Sequence, residues 1–371
     1  MIKRCFLLLF CIIIMSGCWD SHYLKDTQLI YSGAFDLEED GQVKTTVSIP
    51  KIEVGVQQSP GARIVSAIGN TVRQSRLRID QEVSGRLDAA KTRVIIISED
   101  AAKTDIYSYV DVFYRDPRSP LNASIAITKG NAAPYLDLQI ENQPLISEYI
   151  RDLIDAGEQA TILPKTNIQF MCPILFDPGQ DVILPYLNIR EDSQEIHANQ
   201  IALFNERKMS SIIGTEESTM LLLLMNKFKR DANFTVKVTN DKNPRLNNYI
   251  TVQVTNLDHA LTVKEDPSGK VHADVNLTLK LNAIEYPEDT FYERDTIVML
   301  NTKLQEHFQE VANRTMQELL EANCDALGIG RELMAYHRDI WKKNENWKEV
   351  FPNIEMHAHI KAEIVTHGVI N

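Results

Sequence analysis

Residues 270–286, KVHADVNLTLKLNAIEY, alternate apolar and polar side chains over almost their whole length. This period of two predicts a β-strand that buries one of its faces. The stretches 234–240 (FTVKVTN) and 248–256 (NYITVQVTN) alternate in the same way, and residues 266–269 (DPSG) have the composition of a tight turn. We therefore predict an antiparallel sheet in this part of the chain.

The sequence that follows these strands predicts a long helix and one further strand. From about Asp295 an apolar stripe continues at steps of three and four residues, and we expect Gly328 and Gly330 to end this helix. Residues 354–365 (IEMHAHIKAEIV) then alternate again and predict a last strand. The stripe of the helix consists of Ile297, Leu300, Leu304, Phe308, Val311, Thr315, Leu319 and Cys324.

The N-terminal half contains both the period of two that is typical of strands and the spacing of three to four residues that is typical of helices. Residues 93–100 (RVIIISED) and 123–130 (ASIAITKG) predict buried strands, and the segment between them predicts a helix that Pro117 stops. Residues 27–50 predict a hairpin, 62–79 a helix, and 157–190 irregular structure with short strands. We therefore expect an α+β fold, with mixed sheets and flanking helices in about three small domains.

The middle of the chain combines a hairpin with an apolar helix. Residues 201–213 (IALFNERKMSSII) predict the hairpin, and residues 214–228 (GTEESTMLLLLMNKF) predict the helix. Glu216 and Glu217 lie in the first turn of that helix, where the helix dipole favours acidic residues. On these patterns we divide the chain into an N-terminal region, 18–200, and a C-terminal region, 201–371.

The N-terminus has the order of a signal peptide. Lys3 and Arg4 precede an unbroken apolar run over residues 6–15, which is half the length that a membrane-spanning helix needs. Small residues follow, and the order Met-Ser-Gly-Cys resembles a bacterial lipobox, which implies a lipid on Cys18 and cleavage after residue 17. An ordinary signal peptide or an uncleaved anchor is the alternative.

Charge and cysteine content exclude several classes of protein. Removal of residues 1–17 takes away two basic residues and no acidic one, so the net charge changes from −12 to −14. Such an acidic surface argues against nucleic acid as a partner. Beyond Cys18 only Cys172 and Cys324 remain, and we favour two separate buried thiols over one long-range disulfide.

The sequence contains no recognisable catalytic or metal-binding constellation. It has no nucleotide-binding glycine motif, zinc-protease motif or nucleophile elbow. His357 and His359 share one face of the last strand, but two ligands without a third make an incomplete metal site. We therefore predict no enzyme activity, no catalytic residue, no metal and no cofactor other than the lipid on Cys18.

A few residues are candidates for a structural or interface role. The helix dipole explains Glu217, and core packing is the ordinary role of aromatic residues such as Trp341 and Trp347. A docking surface is the alternative for the two tryptophans, because aromatic residues are enriched at interfaces. The arginines of residues 73–78 (RQSRLR) predict a solvated helix face or a contact with an acidic partner.

Five stretches together resemble the Ger(x)C (GerAC-type) family, the lipoprotein C subunits of GerA-type spore germinant receptors. These stretches are spread from the N-terminus to the C-terminus, so the resemblance extends over essentially the whole chain, and several single residues within them also match the family pattern. The stretches are 17–20 (GCWD), 33–41 (GAFDLEEDG), 113–130 (FYRDPRSPLNASIAITKG), 201–224 and 325–368. The matching residues are Phe204, Lys208, Glu217, Asp325, Gly328, Gly330, Trp341, Lys342, Trp347, Phe351, Pro352 and Gly368.

The resemblance implies a lipid-anchored protein on the outer face of the spore's inner membrane, needed for nutrient-triggered germination. It implies assembly with the A and B membrane subunits of a receptor, and contact with a receptor-clustering scaffold lipoprotein. The alternative function is an extracytoplasmic solute-binding lipoprotein that feeds a transporter. That alternative predicts two similar lobes around a ligand cleft, whereas the two halves of this sequence differ.

Overall fold

The computed structural model describes residues 27–51, 61–140, 145–190 and 192–367. Its strands form one eight-stranded sheet, one four-stranded sheet and a small parallel pair. The predicted α+β class with mixed sheets and flanking helices is confirmed. The strands are β1 Thr27–Leu29, β2 Ser32–Leu37, β3 Val43–Pro50, β4 Ala62–Gly69, β5 Arg86–Asp88, β6 Val94–Ser98, β7 Ser124–Thr128, β8 Ile183–Ile189, β9 Ile196–Asn205, β10 Lys208–Ile213, β11 Asn233–Lys237, β12 Tyr249–Glu265, β13 Val271–Glu285 and β14 Glu355–Thr366.

The helices lie on the faces of these sheets and in the connections. The α-helices are α1 Val72–Glu82, α2 Glu99–Asp105, α3 Tyr107–Arg115, α4 Ala133–Asp137, α5 Ile146–Gln159, α6 Ile168–Leu175, α7 Thr215–Leu224, α8 Arg294–Glu321, α9 Ile329–Tyr336, α10 Arg338–Lys343 and α11 Trp347–Val350. Short 3₁₀ turns span Arg245–Asn248 and Phe351–Asn353.

The eight-stranded sheet has the order β10-β9-β8-β7-β6-β2-β3-β4, with a parallel centre and antiparallel margins. Strand β6 is buried throughout, as its β-branched run predicted. Ile95 and Ile97 pack on the side of α2, α3 and α6, whereas Val94 and Ile96 pack on the side of α4 and α5. The alternation of side chains along the strand thus serves two cores, one on each face.

The four-stranded sheet has the order β11-β12-β13-β14. Helix α8 covers one face, and the predicted stripe is buried from Leu300 to Leu319. Strand β14 runs parallel to β13 at the edge of the sheet. Gln309 of α8 protects that edge, because its Nε2 donates to the Ala358 carbonyl at 2.8 Å and its Oε1 accepts from the Ile360 amide at 3.2 Å.

The predicted helix over residues 62–79 is wrong in its first half. Residues 62–69 form β4, which pairs with β3, and the helix begins only after Thr71, whose Oγ1 accepts from the Gln74 amide at 3.1 Å. The spacing of four between Ile64 and Ile68 fits a strand as well as a helix. The β-branched residues of this segment and the neighbouring strand decide in favour of the sheet.

The prediction of irregular structure over 157–190 is also wrong in part. Helix α5 extends to Gln159, and α6 begins at Ile168 despite Pro173 in its interior. Asn167 caps α6, with its Oδ1 accepting from the Phe170 amide at 2.8 Å.

Residue 200, the predicted boundary between the N-terminal and the C-terminal region, lies within β9. Strands β9 and β10 complete the eight-stranded sheet.

Gly328 and Gly330 do not end the long helix. Helix α8 ends at Glu321, and Asn323 takes the left-handed conformation with φ of 49°. The Asn323 amide donates to the Leu320 carbonyl at 3.1 Å and the Cys324 amide to the Leu319 carbonyl at 2.9 Å, which is a Schellman motif. Gly328, with φ of 73°, instead precedes the start of α9.

Candidate functional site

The lipidation candidate Cys18 and the signal peptide, residues 1–17, lie outside the described residues. The other two cysteines are free thiols, with Cys172 half-buried and Cys324 buried. Within the part of the chain that the structure describes, no helix combines the length and the apolar composition needed to cross a bilayer.

Glu217 belongs to an ionic cluster that joins α7 to the long helix α8. Arg314 donates from Nε to Glu217 Oε1 at 2.7 Å and from Nη2 to Glu216 Oε2 at 3.1 Å. His307 Nε2 lies 2.8 Å from the other oxygen of Glu216. The hydrogen bond to Glu217 raises the pKa of Arg314, so this guanidinium is charged throughout the physiological range. The two glutamates thus face a cation on α8 as well as their own helix N-terminus.

Gly214 makes room for this cluster. A Cβ atom at Gly214 would lie 2.8 Å from Glu217 Oε2. In the sequence Gly-Thr-Glu-Glu, the missing side chain of Gly214 therefore leaves the space that the carboxylate of Glu217 occupies. Arg314 was not identified from the sequence, because it lies 97 residues from Glu217 and on the polar side of α8.

Trp347 lies in the core beside a buried carboxylate. Its side chain is 1 % exposed, and Nε1 donates to Asp325 Oδ2 at 2.8 Å. Asp325 also accepts from the amides of Ile329 at 2.9 Å and Gly330 at 2.8 Å. Burial raises the pKa of Asp325 to about 6, while the three donors act in the opposite direction. Trp347 is therefore inaccessible to a partner and organises the segment around Asp325.

Trp341 packs against Trp347 from the outside. The ring centroids of Trp341 and Trp347 are 6.1 Å apart, and the ring centroids of Phe351 and Trp347 are 5.9 Å apart. Trp341 is half-buried, so one part of its indole ring reaches the surface. The structure thus separates the two candidates: Trp347 lies in the core, and Trp341 lies at its margin.

The same segment is attached to the eight-stranded sheet through Asp181. The Asp325 amide donates to Asp181 Oδ2 at 2.7 Å, and the Asp181 amide donates to the Asp325 carbonyl at 2.9 Å. Asp181 also accepts from the Glu206 amide at 2.9 Å and pairs with Lys348. We call this set, with Gly179, Gly330 and Trp347, the junction. Sequence reasoning missed Asp181, because nothing near it in sequence indicates its partners.

Two glycines allow the backbones to approach at the junction. A Cβ atom at Gly330 would lie 2.6 Å from Trp347 Nε1 and 2.8 Å from Gly179 Cα. A Cβ atom at Gly179 would lie 2.5 Å from the Arg331 amide nitrogen, which donates to the Gly179 carbonyl at 2.9 Å. Gly330 thus has a packing role between two parts of the fold that are far apart in sequence.

The arginines of residues 73–78 are not a simple solvated face. Arg73 pairs with Asp116 at 3.3 Å, and Arg76 is half-buried with its Nη2 donating to the Leu87 carbonyl at 2.8 Å. Desolvation lowers the pKa of Arg76. A largely apolar cavity of about 50 Å³ lies beside it, which is about a third of the ~150 Å³ that accommodates benzene.

The two histidines of the last strand remain on one exposed face but have different neighbours. His357 Nε2 lies 3.7 Å from Glu355 Oε2, whereas His359 Nε2 lies 3.6 Å from Asp274 Oδ1. His272 of β13 lies beside Glu355 and His357 and could contribute to a metal site with them. None of the three has the surroundings of a catalytic acid–base group in a closed pocket.

Comparison with known proteins covers nearly all of this chain. The family model described as "Spore germination protein N-terminal domain" matches residues 20–189, and the model "Spore germination B3/ GerAC like, C-terminal" matches residues 199–368. Residues of both candidate clusters, including Asp181 in the first range and Glu217 and Trp347 in the second, fall within these matches.

Individual relatives match over nearly their full length. Spore germination protein GerQC of Bacillus cereus is 24 % identical, with 99 % of each chain covered. Spore germination protein KC of Bacillus subtilis (strain 168) is 22 % identical, over 98 % of this chain and 95 % of the relative. The crystal structure of the GerBC protein superposes with a TM-score of 0.54 at 16 % identity, over 90 % of this chain and 96 % of that one. The chain belongs to the Ger(x)C (GerAC-type) family of spore germination proteins.

Proposed function

We propose that this chain is the C subunit of a nutrient germinant receptor and is needed for nutrient-triggered spore germination. The observation that carries the proposal is the match to both family domains, over residues 20–189 and 199–368. The relatives GerQC and KC are named as spore germination proteins and match along nearly their whole length. The subunit assembles with the A and B membrane subunits and with a receptor-clustering scaffold lipoprotein.

The proposed anchor is a diacylglyceryl group on Cys18, which holds the protein at the outer face of the spore's inner membrane. The order Met-Ser-Gly-Cys after a short apolar run supports this proposal. Two or more acyl chains give stable attachment, because each buried methylene contributes about 0.8 kcal/mol. A tether also raises the local concentration of the folded part near membrane partners, so weak contacts suffice for assembly.

The proposed role is non-enzymatic. The chain belongs to a family of spore germination proteins rather than to an enzyme family. The buried polar clusters at Glu217 and Asp325 are satisfied by neighbours within the fold, which is the behaviour of structural groups. The folded part therefore contributes a surface for partners, and Trp341 at its margin is one candidate for contact.

The solute-binding alternative is less well supported by the fold. It requires two similar lobes around a cleft, whereas one sheet here has eight strands with helices on both faces and the other has four strands under one long helix. Calorimetric titration of the full chain in detergent with germinant nutrients separates the two functions. Saturable binding of a nutrient would favour the alternative.

Replacement of the lipidation candidate tests the proposal. We expect Cys18→Ala to move the protein out of the membrane fraction of spores and to reduce nutrient-triggered germination. Cys172→Ala is the matched control, because it removes a half-buried thiol far from the N-terminus and leaves the anchor intact. Membrane retention and normal germination of the Cys18→Ala spores would refute the lipid anchor.

A further inference from the structure

Two strands of the four-stranded sheet bring together, on its exposed face, three side chains of types that can ligate a metal ion. The parallel register of β13 and β14 places His272 beside Glu355 and Asp274 beside His357. Since side chains two apart on a strand share a face, Glu355 and His357 of β14 both lie next to His272 of β13. The third ligand that residues 354–365 lack in sequence is thus supplied by another strand.

The distances within this group are close to those of a zinc site. His272 Nδ1 lies 3.2 Å from Glu355 Oε2, and His357 Nε2 lies 3.7 Å from the same oxygen. The three ligand atoms all lie within 4.8 Å of one another. Tetrahedral Zn²⁺ with bonds of about 2.0–2.1 Å places its ligand atoms roughly 3.3 Å apart. Small side-chain rotations therefore suffice to close the group around an ion.

A second carboxylate orients His272 toward the group. Asp266 Oδ2 lies 3.1 Å from His272 Nε2 and accepts a hydrogen bond from that nitrogen. The other ring nitrogen of His272, Nδ1, lies 3.2 Å from Glu355 Oε2 and so faces the group. A carboxylate behind a ligating histidine is a common second sphere of zinc sites.

The remaining oxygen of Glu355 is already occupied. Lys270 Nζ donates to Glu355 Oε1 at 2.7 Å, so Oε2 is the oxygen left for the two histidines. Two carboxylates, Asp266 and Glu355, and one ammonium, Lys270, contact the group, and this excess of acidic side chains favours a cation.

We propose that His272 Nδ1, Glu355 Oε2 and His357 Nε2 bind one Zn²⁺ ion, with water at the fourth position. His272 is 17 % exposed, and Glu355 and His357 are 42 % and 54 % exposed, so the ion enters directly from solvent. The ion joins the beginning of the last strand to the beginning of β13. This site is independent of the proposed receptor function and of the junction.

Zinc binding by single-histidine variants tests the site. The full chain, purified in detergent without a polyhistidine tag, is dialysed against Zn²⁺, and the bound metal is measured by elemental analysis. We expect one Zn²⁺ per chain, an affinity more than about tenfold lower for His357→Ala, and the same loss for His272→Ala. Zinc should also raise the midpoint of thermal unfolding of the parent chain and not that of His357→Ala.

His359→Ala is the matched control. His359 lies two residues further along the same strand, is 60 % exposed, and has Asp274 rather than Glu355 as its neighbour. We expect this variant to bind zinc like the parent chain. The proposal is overturned if the parent chain binds no zinc, if His357→Ala binds it equally well, or if His359→Ala loses it to the same degree. Since the side chain of His357 is exposed, we expect His357→Ala to fold normally. Unfolding would therefore not explain a loss of zinc binding by this variant.

Discussion

Gly330→Ala should destabilise the junction strongly, although it adds a single methyl group. The new Cβ atom would lie 2.6 Å from Trp347 Nε1 and 2.8 Å from Gly179 Cα, and one of these neighbours must move. Movement of the indole ring breaks its 2.8 Å hydrogen bond to the buried carboxylate of Asp325. Movement of the Gly179 backbone disturbs its hydrogen bond with the Arg331 amide. Neither neighbour can yield without losing a buried interaction.

The size of the effect follows from these contacts. Overpacking a filled site costs about 1–3 kcal/mol, and loss of a hydrogen bond to a charged group costs about 1.5–3 kcal/mol, so we expect about 3–5 kcal/mol. Gly328→Ala is the matched control, because its Cβ would meet only the Gln180 side chain at 3.4 Å. Its cost comes from the positive φ alone and should be about 1–2 kcal/mol.

Tryptophan fluorescence measures this difference at the junction. The sequence contains three tryptophans, Trp19, Trp341 and Trp347, so a Trp19→Phe background limits the signal to the two that pack there. Urea unfolding is followed at pH 8, where Asp325 is ionised because its pKa is about 6. The reasoning is refuted if Gly330→Ala unfolds at the same urea concentration as the parent chain, or at a higher one than Gly328→Ala.

Two further predictions concern ionic groups. Arg314→Met should cost about 1–3 kcal/mol of stability, because it leaves the 15 %-exposed Glu217 without its cation, whereas Lys303→Met, which breaks an exposed pair, should cost less than about 1 kcal/mol. Equal losses in urea unfolding would contradict a structural role of the α7–α8 cluster. Burial raises the pKa of Glu158 from 4.5 to about 7, so the folded state holds its proton more tightly than the unfolded state, and the stability this provides below pH 4.5 is lost as pH rises through 7. The free energy of unfolding of Glu158→Gln, relative to that of the parent chain, should therefore rise by about 3 kcal/mol as the pH increases from 4.5 to 8. A difference between the two proteins in urea unfolding that does not change with pH would exclude this linkage.

The C-terminal elements were predictable because their patterns are long and regular. Strand β13 and the last strand keep one apolar face over many residues, and α8 keeps its stripe over most of its length. The pattern of β12 was recognised only over residues 248–256, whereas the strand continues to Glu265 beyond a bulge. Each pattern is local, so it can be recognised without knowledge of the partners. The turn at residues 266–269 followed from its composition, and Gly269 has the positive φ of 89° that such turns use.

Short or ambiguous segments could not be assigned in the same way. In residues 62–69 the spacing of four between two isoleucines fits the period of a strand and that of a helix. Pairing with β3 makes this segment a strand. Helix α6 has Pro173 in its interior, which argues against a helix on local grounds, yet its apolar face is buried in the core of the eight-stranded sheet. The strand order of that sheet depends on contacts between distant segments.

The candidate residues were predictable one at a time, but their partners were not. Glu217 and Trp347 are apparent from their positions in the sequence, whereas Arg314 and Asp181 lie far from them along the chain. The same applies to His272, which joins Glu355 only through the parallel register of β13 and β14. Each cluster therefore depends on contacts between residues that are far apart in the sequence, and such contacts cannot be recognised from a local pattern.

Germination of spores that lack this chain tests the receptor function most directly. Deletion spores are exposed to a panel of nutrients and, in parallel, to a non-nutrient trigger that bypasses the receptors. If the chain is a C subunit, we expect the deletion spores to lose the response to at least one nutrient and to keep a normal response to the non-nutrient trigger. Restoring the intact gene should restore the lost response. An unchanged response to every nutrient, or equal loss of both responses, would contradict a role in a nutrient receptor.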